Sequence, residues 1–322
     1  MMAWWRASYA VHGVLRRGRF AVATLGAGLR SPTTPPNATL IVMLHSLFRD
    51  RAEMLAAGCH PLQAVTVDDL RALLTALRSA RLHPVAIADL ANRTPAPAGI
   101  RIALTFDDGY ANNLRALPLL AEAGVPATIF LATRPILTGR CFWWDVAYRE
   151  MRAGGAIHQT IERRIRALKS EHVTSERIED WLVSRYGEAA FAPVGEADRP
   201  LTPAEVGRLA ATAGIALGNH TLNHDYLPRL DTAAIRRTIL ACQADVVAMG
   251  GPAPIAIAYP NGDYDARVAG EARAAGLLIG ITSQPGLNLP SDPQHGDTAM
   301  HLFRHALRGG LSARRQLDLW LR

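Results

Sequence analysis

Short apolar runs alternate along this chain with longer segments of helical periodicity, and few folds can accommodate that order. Residues 40–44, 85–87, 102–106, 127–132, 215–217, 255–258 and 278–282 read as strands, and 67–81, 113–123, 203–213, 232–249 and 268–275 as helices. Successive strands joined through helices must lie parallel, so the expected class is α/β with a parallel sheet. Thr202 with Glu205, and Asp231, stand where N-caps belong, Gly124 ends a helix, and Pro95 and Pro97 mark a loop. Residues 141–200 break the rhythm: 161–169 and 175–186 are amphipathic and rich in Arg and Glu, with no strand signal between them. They read as a helical insertion. A proline-rich linker, 31–38, closes a basic N-terminal arm, so the chain divides into 1–38 and a single domain, 39–322. Without arm and insertion about 220 residues remain, a size that suits one barrel-like α/β domain.

Three cysteines, Cys59, Cys141 and Cys242, lie far apart with no Cys-x-x-Cys pair, which excludes a disulfide framework and a thiolate zinc site. A metal here must be held by His and carboxylate. Of the formal charge of +7, the first 30 residues carry five arginines (Arg6, Arg16, Arg17, Arg19, Arg30) and no acid. The body is nearly neutral, which argues against nucleic acid as a partner. The arm, with Trp4 and Trp5, is open to three readings: a signal peptide, an amphipathic segment lying on a membrane surface, or an irregular lead-in. A cytoplasmic protein, or one peripheral at the inner face of a bacterial membrane through residues 1–30, is the expectation, with secretion the other reading. No apolar run reaches the ~20 residues a spanning helix needs.

Three strand ends carry chemistry. The run 102–106 enters Asp107-Asp108-Gly109, two adjacent carboxylates that repel unless a cation neutralises one. The run 215–217 enters Gly218-Asn219-His220-Thr221-Leu222-Asn223-His224, two histidines four apart that one divalent ion could share. The run 255–258 enters Tyr259-Pro260-Asn261-Gly262, a turn that exposes backbone donors. Each alone is also readable as a turn, a helix cap or ordinary surface histidines. Together, at the carboxyl ends of parallel strands, they supply a base, three metal ligands and an oxyanion donor.

With these motifs the sequence resembles the polysaccharide deacetylases, the family-four carbohydrate esterases, across residues 40–308. The resemblance includes Gly124-Val125-Pro126-Ala127-Thr128 and a Phe142-Trp143-Trp144-Asp145 stretch found in one bacterial branch. It implies a distorted (β/α)7 barrel and removal of acetyl or other acyl groups from amino sugars of a bacterial polysaccharide or envelope glycan. It also implies Asp107 as base, Asp108, His220 and His224 as ligands of a divalent ion, Zn2+ first and Co2+, Ni2+ or Mn2+ after it, and Asn261 as oxyanion donor.

Two features depart from the family pattern: no arginine lies between Cys242 and Asn261, and no clear Leu-x-His stands near residue 300. Leu44-His45-Ser46 resembles the N-terminal element of a circularly permuted branch, making His45 the expected acid. His305 is the competing acid, and Arg304 is a candidate to orient Asp107. Trp143, Trp144, Tyr259 and Pro260 are expected at the sugar cleft, although the tryptophans are equally readable as anchors of the insertion. A deformylase or deacetylase of a lipid-linked sugar, and a noncatalytic glycan-binding protein of the same fold, are the alternative functions.

Overall fold

A computed structural model describes residues 38–91, 99–289 and 298–322; the arm with its linker up to residue 37, and the loop holding Pro95 and Pro97, lie outside the described residues. Eight strands form one sheet: β1 (Thr39–Leu44), β2 (His83–Pro84), β3 (Arg101–Phe106), β4 (Ala127–Leu131), β5 (Ile215–Asn219), β6 (Ala256–Ala258), β7 (Ile279–Ile281) and β8 (His305–Ala306). Their order is β7-β6-β5-β4-β3-β1-β8, with every pair parallel. One short segment closes the sheet into a barrel. Leu302 pairs with Ile281 at the β7 edge, and three residues later His305 pairs with Val42 on β1.

β2 is shorter and earlier than the strand expected at 85–87. It pairs with Arg101 and Ile102, while the same edge of β3 from Leu104 onward belongs to β4, so the ladder has no room beyond the Val85 N–H bond to Ile102. Residues Ile87–Ala91 coil into a helix instead. The helix expected over 113–123 is split: Ala111–Ala116 is a 3-10 turn and Leu117–Ala123 is α-helical, because Pro118 lacks the donor a continuous helix would use. Thr202 with Glu205 forms a full capping box, and Asp231 caps Thr232–Ala248.

Side-chain alternation along the strands sorts two cores. Leu40, Val42 and Leu44 of β1, with Ile102, Leu104 and Phe106 of β3, face the outer helices. Ile41, Ala103 and Phe130 face inward. Phe130 fills the barrel because β5 offers it Gly218, where a Cβ would lie 2.3 Å from the ring. Residues 141–200 contribute the helices Trp143–Ala153, His158–Glu171 and Ser175–Tyr186, whose apolar faces form a separate core with Tyr110 and Ala132. No helix among the described residues is long and apolar enough to cross a membrane.

Replacing Gly218 by Ala should cost about 1–3 kcal/mol in urea unfolding, since Phe130 has no free volume to move into. A Phe130→Leu change in the same chain should recover part of that loss; an unaltered midpoint for Gly218→Ala would contradict the packing.

Candidate active site

Three turns, each at the carboxyl end of a strand, meet over Phe130. The β3 turn carries Asp107 and Asp108, the β5 turn His220 and His224, and the β6 turn Asn261. Of the seven non-glycine residues with positive φ among the described residues, four lie in these turns: Asp108 (74°), Thr221 (67°), His224 (55°) and Asn261 (59°). Strained backbone held by surrounding packing concentrates at functional sites. Each turn is tied down locally. Asn219 Oδ1 accepts from the Thr221 N–H at 2.8 Å and Thr221 Oγ1 from the His224 N–H at 3.1 Å, which puts both imidazoles on one side. Gly262, at φ 76°, lets the Asn261 turn close on Ser283, whose hydroxyl donates to the Asn261 carbonyl at 2.9 Å; a Cβ there would sit 2.1 Å from Ser283 Oγ.

Asp107 is buried and faces Arg304, which stands between the two pairings that close the barrel. Arg304 Nη1 and Nη2 donate to its two carboxylate oxygens at 2.7 and 2.5 Å, and Nε to the Thr282 carbonyl at 2.8 Å. Both side chains are at most 2% exposed. Burial would raise the Asp107 pKa, but Arg304, with His220 and His45, outweighs it and holds the carboxyl below its ordinary value.

Asp108 turns to the histidines. Its Oδ1 lies 3.3 Å from His220 Nε2 and 3.6 Å from His224 Nε2, and the three ligand atoms lie within 4.8 Å of one another. Among the described residues this is the one such cluster. His220 Nδ1 donates to the Ala258 carbonyl at 2.7 Å, which leaves Nε2 as the ligating nitrogen. Asp108 Oδ1 and His220 Nε2 are buried without a hydrogen-bond partner among the described residues. Two buried orphan atoms aimed at each other fit a cation between them. Ligand atoms around a four-coordinate ion, at bonds of about 2.0–2.1 Å, stand about 3.3 Å apart. Burial favours a raised Asp108 pKa, yet His220, His45 and His224 hold it low. Burial and the His220 charge push the His224 pKa down to about 3, which favours the neutral imidazole that a metal would need.

His45 follows β1, and its Nε2 lies 4.0 Å from Asp107 Oδ2. Asn113 Nδ2 donates to the His45 carbonyl at 2.7 Å and Asn112 Nδ2 to Ser46 Oγ at 2.7 Å, so the asparagines after the Asp-Asp-Gly turn clamp the loop that carries His45. Burial lowers the His45 pKa, partly offset by Asp108 and Asp107. His305, the other candidate acid, does not reach the site. It lies in β8 with its ring against Trp320, 5.5 Å between centroids, contrary to its expected place as an alternative acid.

A cavity of about 260 Å3 opens over these groups, walled by His45, Asp107, Asp108, His220, His224 and Asn261. Trp144 reaches the same wall with its ring 4.8 Å from His224, and its Nε1 donates to Tyr110 at 2.8 Å. Trp143 borders a neighbouring cavity. Tyr259 touches the wall, but its ring stacks on Tyr264 and its hydroxyl donates to the Met300 carbonyl at 3.2 Å; Pro260 is buried behind the turn. These two hold the turn rather than offer a face to a sugar. Lys169, from the helix His158–Glu171, was not singled out by motif or strand end, yet its Nζ donates to Asn261 Oδ1 at 2.6 Å. As the one lysine of the chain it was visible only in composition.

A family profile for polysaccharide deacetylases matches residues 95–280, more than half of the chain. The chain belongs to the polysaccharide deacetylase family. It is accordingly a hydrolase acting on acylated carbohydrate. No curated protein matches the sequence. Among solved structures, the Streptococcus pyogenes deacetylase PplD in complex with acetate is similar over 88% of this chain and 98% of its own, at 18% identity and a TM-score of 0.59. IcaB from Ammonifex degensii is similar over 88% and 97%, at 15% identity and a TM-score of 0.58. The deacetylase domain of BpsB from Bordetella bronchiseptica is similar over 84% and 96%, at 18% identity and a TM-score of 0.52. At these identities the likeness shows the fold alone, a polysaccharide deacetylase barrel. His45 and Arg304 both lie outside the matched span.

Removing the guanidinium in Arg304→Met leaves a buried carboxylate unpaired and should cost about 3–5 kcal/mol in denaturant unfolding. Adding Asp107→Leu to that variant should restore much of the loss. If Arg304→Met unfolds at the wild-type midpoint, the pair is not the clamp described here.

Proposed function

We propose that this polysaccharide deacetylase hydrolyses N-acyl groups, acetyl first, from amino sugars of a bacterial glycan, with a divalent ion held by Asp108, His220 and His224. The observation that carries the reading is Asp107: a buried carboxylate kept ionised by Arg304, 3.9 Å from His220 Nε2 and 4.0 Å from His45 Nε2. A binding protein gains nothing from such a group, because an ionised buried pair does not add stability over an apolar one. A hydrolase needs it as a base. An ion at the three ligands, zinc by the donor set, would polarise the acyl carbonyl and acidify a water.

The remaining steps belong to the chain. Asp107 takes a proton from the attacking water as the new carbon–oxygen bond forms. The Asn261 N–H, fixed by the closed turn, donates to the oxyanion; single donors of this kind contribute about 2.7–4 kcal/mol. As the carbon–nitrogen bond breaks, the sugar nitrogen must gain a proton or it leaves poorly. His45 gives it, receiving in turn the proton held by Asp107 across the 4.0 Å between them. Because burial lowers its pKa, His45 is a strong donor once charged. His45, just after the first strand, thus takes the part that the family's C-terminal histidine plays, as in a permuted arrangement. The acetate in the PplD structure supports acetyl as the leaving acyl group.

Acetate release from N-acetylglucosamine oligomers, measured after chelation and with zinc restored, tests this. Zinc should restore turnover in the wild type, and Asp107→Asn and His45→Ala should each lower kcat by about 10²–10⁴-fold. Release that is indifferent to chelation, or an Asp107→Asn enzyme at the wild-type rate, would overturn the reading.

A further inference from the structure

We infer that the cleft between the helix His158–Glu171 and the His220–His224 turn is a second subsite, built for an anionic group, carboxylate or phosphate, on the glycan beside the sugar being deacylated. The inference rests on the proposed function. A cavity of about 410 Å3 lies there, and it shares Lys169, His224 and Asn261 with the catalytic cavity. A glycan seated over the three ligands therefore continues into it.

The charge of that wall is one-sided. Arg166, Lys169 and Arg229 line it against a single carboxylate, Asp263. Lys169 donates to a neutral amide oxygen, that of Asn261, and its Nζ lies 5.7 Å from the centroid of the Trp143 ring. Arg229 donates to the backbone carbonyls of Lys169 at 2.7 Å, Ser170 at 3.1 Å and His172 at 3.2 Å. Two cations thus take neutral groups as hydrogen-bond partners beside a concave surface, while Lys169 also lies in the field of Asp108, Glu162 and Asp263. Arg166 stands 3.7 Å from Glu162 and is half exposed.

Placing cations with neutral partners in a half-desolvated cleft costs the protein stability, and an anion entering the cleft recovers it. Trp143 backs the same wall with its ring almost wholly buried. Lys169 touches both cavities, so it would join anion recognition to the turn that presents the Asn261 N–H.

Three disaccharides test this: N,N′-diacetylchitobiose, its counterpart with a uronate as the second sugar, and its counterpart with a phosphate monoester there. Affinity by equilibrium dialysis and kcat/KM are both read. The wild type should bind at least one charged disaccharide about tenfold more tightly than the neutral one, and whichever is preferred identifies the anion. The gap should close at about 1 M salt, where the screening length falls to about 3 Å. Lys169→Met and Arg166→Gln should each reduce the preference, Lys169→Met by about tenfold, and Lys169→Arg should retain it. Equal binding of all three disaccharides by the wild type, or an unchanged preference in both neutralising variants, would overturn the subsite even if turnover is normal. A salt-sensitive preference in binding with no turnover of any disaccharide would sustain the subsite and overturn the hydrolytic reading instead.

Discussion

The bidentate pair of Arg304 and Asp107 holds barrel and site together. Arg304 sits on the short segment whose two ends pair with β7 and β1, so the residue that completes the barrel also fixes Asp107. Its guanidinium lies over Phe130, 5.9 Å from the ring centroid, and Phe130 fills the barrel only because β5 has a glycine opposite it. Aromatic plug, arginine and carboxylate are thus in successive contact.

Two adjacent aspartates in one turn are given opposite partners. Asp107 points at a guanidinium and Asp108 at two imidazoles, and the positive φ of Asp108 is what lets neighbouring side chains diverge so sharply. Repulsion between the carboxylates is offset by separate surroundings, the Arg304 guanidinium for Asp107 and the histidines for Asp108, and both pKa values are held low. The proposed base would therefore be available without competing for an ion, a separation that metal-assisted hydrolysis requires.

Much of this was legible from the sequence, because period-2 and period-3.6 patterns are local and strand ends in a parallel sheet are where sites are built. The six main strands, the Thr202 and Asp231 caps, and the grouping of Asp107, Asp108, His220, His224 and Asn261 at three turns all follow from local pattern. What was not legible depends on distance in sequence. β8 is two residues long and has no periodicity to read; it exists because β1 offers it an edge. The end of β2 is set by β4 occupying the rest of the β3 edge, and His305 points away from the cavity because neighbouring residues of a strand face opposite sides and Arg304 takes the inner one. Lys169 belongs to a segment whose helical pattern is plain but whose docking onto the β6 turn no local signal encodes.

The central claim is that Asp108, His220 and His224 hold an ion while Asp107 stays on Arg304. A crystal of the zinc-soaked protein, with anomalous data collected at the zinc edge, tests it directly. The account predicts one strong peak about 2.0–2.2 Å from Asp108, His220 and His224, with both Asp107 oxygens still on the Arg304 guanidinium. A peak bonded to Asp107 with Arg304 displaced, or no peak at the three ligands, would contradict it.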